Sequence, residues 1–241
     1  MKKLVLFSLL SFLILSSCRY MGGRRVEGNG KIVTREQSVG KFRTVDVSGA
    51  LNVYLKQDSQ QSVRVETDEN LQEYLDIHES DGVLYIDTRN NVNLDPSNDD
   101  IKIYVSAPEY RALHVSGASN IRGENKLSTP ETFDIDLSGA SGIDVDIKAP
   151  RVNAELSGAS SIKLAGETKD LSIEGSGASE VKCFDLLAEN TRIDVSGAFS
   201  AQVHASVQLD VEASGASEIK YKGSPSVKQS VSGASSISKA D

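Results

Sequence analysis

Ser-Gly-Ala begins at Ser48, Ser116, Ser138, Ser157, Ser176, Ser196, Ser214 and Ser232. A serine written so often raises the question of nucleophilic chemistry, which needs a base within hydrogen-bond reach and donors for an oxyanion. The chain has three histidines, His78, His114 and His204, and none recurs with the triplet. The nucleophile elbow G-x-S-x-G is also missing. Where Gly-Ala-Ser occurs, the residue that would be its last Gly is Ile121, Ile143, Ile162, Val181, Ile219 or Ile237. Carboxylates are the second candidates. Asp134 and Asp136 in "TFDIDL", and Asp144 and Asp146 in "GIDVDIKA", alternate with apolar residues and so face outward on strands. Such pairs are weak candidates for Ca²⁺, which takes oxygen ligands. With a nearby Lys or Arg they also offer the alternative of a polysaccharide-processing, lyase-like β-helix enzyme, by fold analogy. A solvated acidic face is the simpler reading. The Ca²⁺-binding nonapeptide repeat, P-loop, GxGxxG, HExxH and paired CxxC are all absent, so no cofactor and no catalytic residue is expected.

The elements that carry these residues follow from the repeat. The last seven triplets are spaced 22, 19, 19, 20, 18 and 18 residues apart, and the first gap is 68, room for about three degenerate coils. Five residues after each Ser stands Val53, Ile121, Ile143, Ile162, Val181, Ala201, Ile219 or Ile237. Three before stands Val45, Leu113, Ile135, Ala154, Ile173, Ile193 or Val211, with Gln229 the one departure. Apolar-x-apolar alternation is a strand signal, and Pro108, Pro130, Pro150 and Pro225 mark corners between strands. The fold class is therefore all-β, a right-handed parallel β-helix of 18–22-residue coils with embellished N-terminal coils. Gly49, Gly117, Gly139, Gly158, Gly177, Gly197, Gly215 and Gly233 are its repeat turns, where a corner needs positive φ or close backbone approach. The Ser is placed to hydrogen-bond the turn.

The chain carries 26 Lys+Arg against 34 Asp+Glu, net −8 over 241 residues. That balance argues against a nucleic-acid binder, which usually shows a basic patch or stripe. Lys2 and Lys3 precede an apolar run too short to span a membrane, and the run ends in "LSSC". This resembles the lipobox of bacterial lipoproteins. The resemblance implies a signal peptide over 1–17, lipidation at Cys18, and a mature charge near −10 once two lysines leave −8. A multiply acylated Cys anchors stably. Residues 18–30 then read as the lipidated Cys and a flexible tether, and 31–241 as a single β-helical domain. Cys183 is left alone, which forbids an intramolecular disulfide, and its alternation with Val181 points it inward.

Within residues 26–110, "FRTVDVSGALNVYLKQD", "QSVRVETDE", "GVLYIDTRN" and "DIKIYVSAP" read as strands, 69–77 as a short corner helix and 90–100 as a polar loop. Here the chain resembles the lipoproteins of Bacteroidetes-type bacteria that carry the "putative auto-transporter adhesin, head GIN" domain. The carrying stretches are "GNGKIVTREQSVGKFRTVDVSGALNVYL", "VRVETDENLQEYL" and the Ser-Gly-Ala-Ser series. The resemblance implies a β-helical fold, an outer-membrane, cell-envelope location and an adhesin-like binding or scaffold role without known catalytic residues. Its expected partners are the membrane through the anchor, and a glycan or an envelope protein. The last coil lacks a capping helix or loop after Ile237, so it is expected either to be blunted by Lys239 and Asp241 or to pair with a second copy.

Overall fold

Alternating apolar side chains cannot be buried by one 19-residue coil, and here stacking buries them. A computed structural model describes residues 23–89 and 92–240; Cys18 and the apolar leader lie outside them. In register, Val45, Leu113, Ile135, Ala154, Ile173, Ile193 and Val211 form one column through parallel ladders. Val53, Ile121, Ile143, Ile162, Val181, Ala201 and Ile219 form a second. Both columns are buried and merge into one continuous core. The result is a β-solenoid of stacked parallel coils. Its central strands, Gly142–Leu156, Ser161–Gly177 and Glu180–Gly197, run unbroken around corners. Pro150, which has no N–H to donate, falls at a gap in the ladder between Ala149↔Thr168 and Arg151↔Asp170.

The triplet builds one corner. All eight of its glycines have φ between 75° and 101°. A Cβ added to Gly158 would lie 2.6 Å from the Gly139 carbonyl oxygen, and the same approach recurs up the column from Gly117 to Gly233. Only glycine meets both demands. The following Ala continues the ladder: Ala159 N–H donates to Gly139 O at 2.7 Å, and Ala178 N–H to Gly158 O at 2.8 Å. The triplet Ser is not the buried one. The serine three positions later turns inward, and Ser119, Ser141, Ser160, Ser179 and Ser217 are buried. Ser160 Oγ donates to the Ser157 carbonyl at 2.8 Å, and Ser141 Oγ to that of Ser138 at 2.9 Å. Two neighbouring rungs depart together. Phe199 replaces the inward Ser of one, and its ring occupies the space over Gly175 of the rung before, where other rungs carry Val, Leu or Ala.

The N-terminal part corrects several expectations. The 68 residues between the first two triplets are not three successive coils. Thr44–Val47 stacks directly on Ala112–Val115, and Asn52–Gln57 on Asn120–Gly123. The intervening chain doubles back and extends the rod on the other side. Val83–Thr88 and Lys102–Ala107 pair in parallel with Thr44–Val47 and Asn52–Gln57. Antiparallel strands cover that end: Leu75–Ser80 on Val83–Thr88, and Ser62–Asp68 on Lys102–Ala107 with Ile32–Gln37 outermost. The reversal is made by Asp81 and Gly82, whose φ values of 53° and 79° suit a two-residue hairpin. The expected helix at 69–77 is one 3-10 turn, Gln72–Tyr74, followed by the strand that the hairpin recruits. Part of the expected tether, Arg24–Glu27, is a strand paired with Val92–Asp95, which lies in the expected polar loop.

At the other end, Ser226–Val231 and Ser236–Lys239 are short and lie open. Val227 and Val231 are 39% and 37% exposed, and Gln229 sits where earlier rungs bury Val, Leu, Ile or Ala.

Candidate binding surface

Because the interior is filled with side chains, chemistry is confined to the outward positions of the rungs. On one face Tyr85, Asp46, His114, Asp136, Glu155, Glu174, Asp194 and Glu212 stack in register. Between this column and the triplet serines runs a groove of about 670 Å³. Neighbouring rungs are about 4.8 Å apart, so these like charges repel. His114 interrupts them, with Nε2 3.2 Å from Asp136 and Nδ1 3.8 Å from Asp46. Ser116 lines the groove beside His114, but its hydroxyl is directed at the Val47 carbonyl, 3.5 Å away, rather than at the imidazole.

The four aspartates singled out by spacing do face outward or to the half-buried rim, and the structure does not bring them together. Asp134 accepts from Asn153 Nδ2 at 2.8 Å, and Asp136 meets His114. Asp144 pairs with Lys163 at 3.1 Å and Asp146 with Lys126 at 3.6 Å. Each carboxylate thus faces a neighbouring side chain. Among the described residues, no three His, Cys, Asp or Glu converge as metal ligands would.

A second face carries a stack. The rings of Tyr54 and Tyr104 lie 5.3 Å apart at 24°, and the Arg64 guanidinium sits 5.4 Å from the centre of the Tyr104 ring. Arg64 and Tyr54 come from strands on opposite sides of Tyr104. Both faces of that ring are therefore taken, so a sugar cannot stack on it.

Sequence reasoning missed Asp68. It is fully buried where the antiparallel cap meets the first turn. Its carboxylate accepts from Ser97 N–H (2.9 Å), Ser97 Oγ (2.7 Å) and Gly30 N–H (2.7 Å). Burial pushes its pKa up, but these donors outweigh burial and hold the carboxyl below its ordinary value. Nothing local in "VETDEN" marks this residue; its donors are 38 and 29 residues away. Cys183 is fully buried, and desolvation pushes its thiol up to about 12, so it packs as an apolar residue.

Fold and surface define a parallel β-solenoid with a packed interior, whose outward faces are its means of contact. The chain belongs to the family described as "Putative auto-transporter adhesin, head GIN domain", which it matches over residues 41–225. Among solved structures it is similar to a "putative adhesin" from Bacteroides fragilis, with a TM-score of 0.83 at 21% identity, covering 89% of this chain and all of that one. It is also similar to a "putative lipid binding protein" from Parabacteroides distasonis (TM-score 0.69, 22% identity, 90% and 100% covered). A "putative adhesin" from Parabacteroides merdae follows (TM-score 0.65, 19% identity, 90% and 100% covered). At these identities the likeness establishes the fold. No curated protein matches.

Proposed function

We propose that the protein is a lipid-anchored binding module of the cell envelope that holds a glycan or an envelope protein against an outward face of the solenoid. The observation that carries this reading is the filled core. Its columns from Val45 to Ile219 leave no interior channel, so a ligand meets stacked outward side chains, in a chain of the adhesin family. One structural neighbour is named for lipid binding. A lipid would here have to lie on an outer face, because the interior is packed with side chains. The anchor rests on "LSSC" ending in Cys18 after the apolar run.

Two experiments test the reading. Radioactive fatty acid supplied to cells is expected to label the wild type and not Cys18→Ser; equal labelling removes the anchor. The full chain, purified in detergent and applied to a glycan array, is expected to retain at least one glycan unchanged. Cleavage of the glycan into unsaturated products would replace binding by lyase chemistry. Retention of none would leave only a protein partner or a structural role.

A further inference from the structure

At the N-terminal corner, Arg43 and Arg111 stand on adjacent rungs, just before the paired residues Thr44 and Ala112. The Arg111 N–H donates to the Arg43 carbonyl at 2.7 Å, so the two side chains start about 4.8 Å apart. They line a cavity of about 780 Å³ with Lys41, over a floor that includes Phe42 and Pro108. The volume falls within the roughly 300–1,000 Å³ of small-ligand sites.

Carboxylates are present here too, and Asp81 lines the cleft beside Gly82. Glu109 lies 3.7 Å from Arg43, and Glu131 lies 4.0 Å from Arg43 and 3.9 Å from Arg111. These distances exceed hydrogen-bond length. Glu109 itself accepts from Thr129 Oγ1 at 3.2 Å. The acids therefore steady the guanidinium groups without using their donors. Among the described residues neither guanidinium donates a hydrogen bond, and Lys41 makes no ion pair. The two arginine side chains are 52% and 55% exposed. Two planar forks on adjacent rungs match a carboxylate or sulfate bidentately, and Lys41 adds a point charge for a second acidic group. Gln61 donates its amide to Gly40 O at 2.7 Å, which leaves its carbonyl oxygen for a hydroxyl donor. The acidic groove that begins at Asp46 repels anions, whereas in this cleft Lys41, Arg43 and Arg111 stand beside Asp81 and Glu109 and keep hydrogen-bond donors free for an anion.

We infer that this cleft binds acidic sugar units, with Arg43 and Arg111 clamping the anionic group of one unit and Lys41 meeting the next. The inference rests on the binding-module reading and supplies the ligand class and the site. A bare phosphate or sulfate would fill little of the cleft and leave its apolar floor unused.

The test is calorimetric titration of the full chain in detergent at low salt, with trigalacturonate, maltotriose and inorganic sulfate as probes. Trigalacturonate is expected to bind at least tenfold tighter than maltotriose and to weaken as salt rises. Arg43→Gln/Arg111→Gln is expected to lose tenfold or more, Lys41→Gln less, and Arg192→Gln, on a distant rung, nothing. Equal melting temperatures would show that the variants fold. Equal affinity for maltotriose, undiminished binding by the double variant, or sulfate as tight as the trisaccharide overturns the inference. So does displacement of trigalacturonate by phosphatidylglycerol vesicles, which would make the cleft a membrane contact. Neutral glycans retained on the array with no trigalacturonate binding would sink this site alone. No glycan bound by either method would sink the glycan reading beneath it.

Discussion

Gly158→Ala separates two reasons for a glycine that usually come together. At φ 81°, an L side chain costs about 1–2 kcal/mol, offset by about 0.4–1 kcal/mol from the stiffer unfolded chain. The added Cβ also lands 2.6 Å from Gly139 O, closer than the 3.0 Å that real Cβ atoms respect. The rungs must spread, which weakens the 2.7 Å bond from Ala159 N–H to Gly139 O. Such a bond is worth about 0.5–1.5 kcal/mol, and contacts beside it loosen as well. The total is about 2–3 kcal/mol. Gly82→Ala is the control, with φ 79° and nothing within 4 Å of the new Cβ, so its cost is about 1 kcal/mol. In a chain of this size 1 kcal/mol shifts the midpoint by about 2–4 °C. Far-UV circular dichroism melts should fall by about 5–10 °C for Gly158→Ala and about 2–4 °C for Gly82→Ala. Equal shifts would show that rung spacing at the triplet corner does not require glycine.

Ile162→Lys places a charge at a fully buried position in the middle of a column and is expected to cost more than about 4 kcal/mol; an unchanged urea midpoint would refute the packing. Asp68 has a depressed folded pKa, so its stabilisation is present above the unfolded value near 3.9 and is lost as pH falls through the folded value. Asp68→Asn is therefore expected to lower stability at pH 7 and to flatten the fall below about pH 4; parallel urea-midpoint curves for the two proteins would contradict this. Phe199→Ser should cost about 3 kcal/mol through the void it leaves, and adding Gly175→Val should restore at least about 1 kcal/mol. Strictly additive midpoints would show that ring and glycine are not coupled.

The regular coils were legible because one signal repeats. Period-two apolar residues around Ser-Gly-Ala, at 18–22 residues, leave few ways to bury Ile135 or Ile162 other than stacking. The N-terminal end was legible only as strands. Pairing direction depended on Asp81-Gly82, a hairpin signal lying between "LDIHES" and "VLYIDT", and its neglect turned a doubled-back cap into expected successive coils. The triplet serines do bond backbone carbonyls, as Ser116 and Ser157 show, but the burial of the serine three positions on was not legible. Both serines of Ser-Gly-Ala-Ser are polar and small, and only the pleat decides that Ser160 faces in while Ser157 faces out. The basic cleft gave no local signal, because Lys41, Arg43 and Arg111 gather across 70 residues only after Thr44 pairs with Ala112.

The coil of the first triplet is finished by chain that comes much later. Thr44–Val47 takes one neighbour from residues 83–86 and the other from 112–115, whereas rungs beyond Ser116 find theirs 18–22 residues away. Closing the 68-residue loop costs about 1 kcal/mol more than closing one of about 19, before any rung contact repays it. Folding is therefore expected to start in the middle of the rod and to reach the amino-terminal end last, against the direction of synthesis. Pulse-labelled hydrogen exchange should show Ile162 and Ile173 protected before Val45, and simultaneous protection would contradict that order. While its rung neighbours at 112–115 are still missing, the strand Thr44–Val47 has an open edge, and it is this segment that would have to be kept from pairing with other chains.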